Sequence, residues 1–345
     1  MSRCLHLEHT QEQKVLDEPL VSYTMKHSWK ITAVLMLMFL AAQLIGLFVI
    51  SSYNTPLKIG NQTVNEVPYG MAPPEVDAVP GLSSIIFSFV LAVAIIFLLM
   101  KFKAATFLRL WFFFVVVIAI GIVINLVLIK ISPSLSLNKL DFSLFQLSYS
   151  ELISFILALP LAYSKVFRRD ILIHNISELL IYPGISVVFV PILNIWTVIV
   201  LLVLISAYDI YAVWHSGIMQ KMAKYQINEL KFFAGFFVPY IRREDRLRLE
   251  KIKSQKLRVK EKQRKASRIK VNLAILGGGD VIFPLITAGV VMLRWGLLPA
   301  LMITLGATIA LSLLLYFSEK GKFYPAMPFI TAGCLAGLGV GWLMI

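Results

Sequence analysis

Gly277, Gly278, Gly279 and Asp280 place a carboxylate behind three glycines, inside an apolar run from Val271 to about Met292. An ionisable side chain at membrane depth costs roughly 3 kcal/mol or more, and a glycine in a helix about 1 kcal/mol against alanine. Pro284 has no N–H to offer the carbonyl of Asp280, four residues earlier, so water or another segment must meet that polarity. A second carboxylate, Asp209, lies inside the apolar stretch that ends at Val213. Two close carboxylates in a low-dielectric site cannot easily both ionise and tend to share one proton. The ionised member can take a proton from an attacking water, and the protonated member can hydrogen-bond the oxyanion that develops on a peptide carbonyl. That chemistry needs no metal and no cofactor.

The elements that must position these acids are membrane spans. The chain has 345 residues, 58% hydrophobic and 15% charged, a balance far from that of soluble domains. Apolar runs of about 20 residues fall at Ile31–Ile50, Leu82–Met100, Leu108–Ile129, Tyr149–Phe167, Val271–Met292, Leu297–Phe317 and Met327–Ile345. The stretch from Leu179 to Val213 is too long for one span, and Pro191 and Asn194 divide it into two. The expected fold is an all-α, polytopic membrane protein with nine transmembrane helices and a single membrane domain. Residues 1–30 form a polar tail, 31–215 hold spans one to six, 216–270 a basic loop, and 271–345 spans seven to nine.

Charge orients the spans. Net charge is +14, and residues 221–270 alone hold 17 Lys or Arg against 5 Asp or Glu. In a soluble protein this would suggest nucleic acid; here it is a topology signal, and no nucleic-acid partner is expected. Lys101, Lys103 and Arg109 follow the second span, Lys165, Arg168 and Arg169 the fourth, the basic loop the sixth, and Lys320 and Lys322 the eighth. The N-terminus is therefore expected in the cytoplasm and the C-terminus outside. The part of the loop from Arg242 to Lys270 suits either a surface helix or a solvated linker. Cys4 and Cys334 are too differently placed to suggest a disulfide. Gly333, Gly337 and Gly341 recur every fourth residue, a face for close helix packing.

In this arrangement Asp209 lies about 9 Å, and Asp280 about 14 Å, from the cytoplasmic ends of consecutive antiparallel helices, at 1.5 Å per residue. They are the two acids expected deep in the membrane; Glu151 and Glu178 fall at interfaces. Each aspartate could instead be a lone packing or relay carboxylate. Zinc chemistry lacks its His-Glu-x-x-His, and a serine nucleophile lacks a histidine within a span to act as base.

Tyr208-Asp209, Gly277-x-Gly279-Asp280 and Pro325-Ala326-Met327-Pro328 resemble, in that order, the motifs of the presenilin and signal-peptide-peptidase family of intramembrane aspartyl proteases. Two further stretches resemble presenilins in particular: His174-Asn175-Ile176-Ser177-Glu178, and Tyr208 through Val213. The resemblance covers roughly residues 31–345 and implies that Asp209 and Asp280 are catalytic. It implies that Tyr208, Gly277, Gly278, Gly279, Pro325, Ala326 and Met327 support the site or seat substrate. The substrates implied are transmembrane segments of other proteins, cleaved within the lipid bilayer. Gly278 stands where presenilins carry Leu, which bears on substrate preference, and Met327 replaces the Leu of Pro-Ala-Leu, a nearly volume-conserving change. The compact chain looks more like microbial homologues, which implies a microbial cell membrane and leaves the need for accessory subunits open.

An ion- or proton-coupled transporter is the alternative, since transporters also use intramembrane acids and glycine-broken helices. It would place paired broken helices in two repeated halves, whereas the unusual residues here gather in the C-terminal half. A non-catalytic scaffold leaves both acids unexplained. The alternating basic loops carry one direct expectation: protease added outside intact cells leaves residues 242–270 uncut, and cleavage there without lysis would reverse the orientation.

Overall fold

The computed structural model describes residues 29–54, 57–59, 62–64, 105–137, 139–142, 145–168, 170–215, 234–240, 272–318 and 324–345, with scattered single positions between 83 and 98. The N-terminal tail, most of the second expected span and the loop from Arg242 to Lys270 lie outside the described residues. The helices are α1 (Trp29–Asn54), α2 (Ala105–Ile131), the one-turn α3 (Ser134–Leu137), α4 (Tyr149–Phe167), α5 (Ile171–Phe189), α6 (Ile195–Ile210), α7 (Gly278–Trp295), α8 (Leu297–Phe317) and α9 (Met327–Trp342). Among the described residues, seven helices are long and apolar enough to cross a membrane, and α9 is a shorter apolar helix. The chain is a polytopic membrane protein.

Three antiparallel hairpins qualify the all-α expectation: β1 (Leu57–Ile59) with β2 (Gln62–Val64), β3 (Lys139–Phe142) with β4 (Phe145–Ser148), and β5 (Gly235–Tyr240) with β6 (Asn272–Gly277). The third hairpin corrects the seventh span. The helix expected from Val271 begins only at Gly278, because residues 272–277 are a strand paired from Gly235↔Gly277 to Tyr240↔Asn272. Ala274 and Leu276 are buried while Ile275 and Gly277 are less so, an alternation of period two. A short apolar run does not distinguish strand from buried helix by composition, and this one joins directly to an apolar helix.

The fifth span, by contrast, starts earlier than expected. Helix α5 begins at Ile171, ahead of the expected Leu179, because His174, Asn175 and Glu178 find polar partners inside the protein. The break at Pro191 and Asn194 is where the sequence puts it. Residues Val190–Ile192 form a 3₁₀ turn, then Asn194 caps α6, accepting from Thr197 N at 2.9 Å while its own N–H donates to Thr197 Oγ1 at 2.8 Å. Ser148 and Glu151 make the equivalent box at the start of α4.

Helix α7 is central, packing against α1, α5, α6, α8 and α9. Val281, Leu285, Ala288 and Val291 on α7 are fully buried, with Phe39 of α1 in the same core. Large apolar side chains such as Leu37, Phe48, Trp196 and Leu305 are exposed, as lipid-facing surface requires. Between α7 and α8 the chain turns at Gly296, whose φ of 93° suits glycine.

The predicted glycine face of α9 lies against α8. A Cβ at Gly333 would run into the Gly306 carbonyl, one at Gly337 into Met302 O, and one at Gly341 would come within 2.9 Å of Pro299 Cβ. Gly339 has nothing within 4 Å of its would-be Cβ. Gly333→Val should therefore destabilise the protein by about 1–3 kcal/mol through overpacking against backbone, and Gly339→Ala should be neutral or slightly stabilising. Thermal unfolding in detergent measures both, and equal midpoints for the two variants would refute the close contact.

Candidate active site

Asp209 stands one residue before the end of α6, partly buried, and a single π-helical turn from Tyr211 to His215 follows. Single π turns are frequent at functional positions. One of its carboxylate oxygens, Oδ2, accepts from Met327 N at 3.1 Å, and Ala326 N–H also reaches the carboxylate. Ala326 is the N-cap of α9 and Met327 its first residue. The first amides of a helix lack intrahelical acceptors, and the dipole favours negative charge there. The segment Pro325-Ala326-Met327 thus meets Asp209 through backbone N–H groups, with the Met327 side chain buried. Pro328 at the start of α9 suits a position where the N–H has no helical partner. One turn further along, Ser206 Oγ and Thr331 Oγ1 lie 2.7 Å apart and fasten α6 to α9.

Asp280 is the third residue of α7, near its N-terminus and not nine residues into a helix; the strand β6 supplies the remaining distance. Helices α6 and α7 pack together, and Asp209 lies within electrostatic reach of Asp280. The Gly277 N–H reaches the Asp280 carboxylate. Gln43 of α1 donates from Nε2 to Val281 O, next to Asp280 in the chain, at 2.8 Å.

The three glycines differ in what surrounds them. A Cβ at Gly277 would stand 3.0 Å from Asp280 Oδ2. At Gly278, which is buried, it would meet Tyr182 Oη at 3.2 Å and Ala234 O at 3.3 Å, and Gly278 N donates to that same carbonyl at 3.1 Å. Gly279 is exposed and its would-be Cβ meets only the Phe283 ring, at 3.6 Å. The position that the resemblance links to substrate preference therefore packs against Tyr182 of α5 and the residue just before β5. Tyr208 is partly buried beside Asp209.

Several residues here escaped the sequence reading. Lys165 and Glu178, read as an interfacial charge and an interfacial acid, form a buried ion pair with each side chain about 1% exposed. His174, assigned to a connection, lies on α5 within a span, with Nε2 2.8 Å from Gly235 O. Gln43 and Thr331 carried the faint signal of single polar groups inside apolar runs.

A family model described as signal-peptide peptidase, presenilin aspartyl protease matches residues 45–345. The chain belongs to that family. Its fold is similar to a presenilin family intramembrane aspartate protease solved in a C222 lattice, with TM-score 0.54, 18% identity, and 91% of this chain and 99% of that one covered. A presenilin family intramembrane aspartate protease solved in a P2 lattice gives TM-score 0.55 and 18% identity over 90% and 97% of the two chains. No curated protein sequence matches. As a family member the chain is an intramembrane aspartyl protease.

Because Gly278 abuts Tyr182 and Ala234 rather than open space, Gly278→Leu should displace the hairpin and lower cleavage of every peptide bond by roughly 10–100-fold. Gly279→Ala should leave thermal unfolding unchanged. A Gly278→Leu protein that cleaves at full rate with new product lengths, read by mass spectrometry, would restore the substrate-facing assignment.

Proposed function

We propose that this protein hydrolyses peptide bonds within transmembrane segments of other proteins, with Asp209 and Asp280 as the catalytic pair. The observation that carries the proposal is the environment of Asp209. Its carboxylate is fixed by the Met327 N–H at 3.1 Å, on a helix packed beside the one bearing Asp280, and the two acids are within electrostatic reach. In the reaction, the ionised acid removes a proton from water as the water oxygen bonds to the scissile carbonyl carbon. The protonated acid donates to the carbonyl oxygen, giving a neutral tetrahedral diol. The acid that took the water's proton then gives it to the amide nitrogen while the other acid takes back one diol hydroxyl proton, so that the C–N bond breaks, the amine leaves and a carboxylic acid remains. Tyr208, the three glycines and the Pro325-Ala326-Met327 turn keep the acids in place and shape the path of the substrate chain.

The same reading places nine spans in the membrane, the N-terminus in the cytoplasm and the C-terminus outside, in the cell membrane of a microbe, with the bilayer and transmembrane substrates as partners. Support comes from the alternating basic connections and from the compactness of the chain. The ion-coupled transporter finds no support in the family or the fold.

Asp209→Asn and Asp280→Asn preserve volume and remove a charge that is costly at this depth, so each variant should fold with unchanged or slightly raised thermal stability. Each should lose cleavage of a labelled transmembrane peptide by at least about 10³-fold, and the double variant should be no worse than either single, as residues acting as one unit are not additive. Wild-type activity should follow a bell-shaped pH profile whose two limbs belong to the pair. A single Asn variant that cuts near the wild-type rate would end the aspartyl reading of these two residues.

A further inference from the structure

Behind the hairpin that leads to Asp280 lies a polar cluster that the two aspartates do not use. Lys165 and Glu178 pair almost without exposure. A pair so buried is costly to desolvate and adds little net stability. The hydrogen bonds around it point outward, to strand β5. Glu178 Oε1, which meets Lys165, also accepts from Gly235 N at 3.0 Å. His174 Nε2 lies 2.8 Å from Gly235 O, and its ring stacks on Phe237 with centroids 4.6 Å apart. Asn175 bonds Phe237 twice, from Nδ2 to the carbonyl at 2.8 Å and to Oδ1 from the amide at 2.9 Å.

Gly235 and Phe237 are two residues apart, so their N–H and C=O groups face the same edge of β5. Three side chains from about one turn of α5 therefore satisfy that edge as a neighbouring strand would, while β6 pairs with β5. Pro239, next along the same edge, has no N–H to satisfy. From here one peptide unit leads to the site: Ala234, adjacent to Gly235, accepts from Gly278 N at 3.1 Å. Tyr182, one turn after Glu178, sets its ring edge-on to Phe236 at 5.4 Å and its hydroxyl against Gly278.

We propose that His174, Asn175 and Glu178, with Lys165 as the counter-charge, are positioning residues that grip β5 and thereby set the Gly277–Asp280 turn for reaction. This rests on the reading of Asp280 as a catalytic acid. The side-chain clamp takes over an edge that would otherwise expose backbone donors and acceptors in an apolar bundle. It makes the hairpin a fixed support and not a loose connection.

The test uses the full-length protein purified in detergent. Asn175→Leu removes both bonds to Phe237 without touching the ion pair. The double change Lys165→Leu with Glu178→Leu removes the pair together, leaving no lone buried charge. Hydrogen exchange at residues 235–240 and 272–277 should quicken about tenfold or more in each, with exchange in α8 unchanged. Affinity for a hydroxyl-containing peptide-isostere inhibitor of aspartyl proteases and kcat on a labelled transmembrane peptide should both fall about tenfold, KM staying within about twofold. Unaltered hairpin exchange would overturn the clamp. Faster exchange with unchanged kcat and inhibitor affinity would overturn its link to Asp280. An Asp280→Asn variant that still cleaves, assayed alongside, would sink the catalytic reading on its own, and the exchange result would still judge the clamp.

Discussion

A carboxylate inside an apolar bundle must receive its hydrogen bonds from the protein, and at Asp209 they come from the first amides of α9. Much else follows from that requirement. The N-terminus of α9 has to arrive beside the end of α6, which demands that α9 lie tightly along α8. Gly306, Gly333 and Gly337 allow this by leaving backbone against backbone. The Ser206–Thr331 contact then fixes the register one turn away. The proline-rich turn before α9 ends in amides with no helical acceptor, which are thereby free for the carboxylate.

Asp280 is held by a different device. It sits at the start of α7, and what precedes it is a strand whose partner is gripped by side chains from α5. One acid is therefore located by helix packing and the other by a hairpin. The strand pair leads straight into Asp280 through Gly277 and Gly278, so a disturbance in it reaches Asp280 without passing through the contact of Asp209 with Met327.

Much of this was legible in the chain. Helices α4 and α8 have the bounds that the apolar runs give, and the break at Pro191 and Asn194 is marked by a helix breaker and a capping residue. The motifs around Asp209, Asp280 and Met327 were readable because glycine, proline and acid are costly at membrane depth and so stand out. What the sequence hides is pairing. Residues 272–277 read as the start of a helix because apolar composition has no period to betray a strand so short. Lys165 and Glu178 read as interfacial charges because nothing local says they face each other. His174, Asn175 and Glu178 precede the apolar run that marks the fifth span, and nothing local reveals that their partners lie on β5.

The contacts that build the site join distant parts of the chain: Gln43 to Val281 across 238 positions, Ser206 to Thr331 across 125, and Asp209 to Met327 across 118. A helix closes most of its own backbone bonds within itself, whereas contacts of such separation form late. Helical content and assembly of the candidate site are consequently separate milestones in the life of the molecule. While the chain is being made, Asp209 waits in the bilayer without its donors until the sixteen residues of α9 have docked. On the role proposed for Asp209, cutting power is thus withheld from a half-assembled chain surrounded by potential substrates, and a preparation that looks fully folded by its helix signal can still be inert.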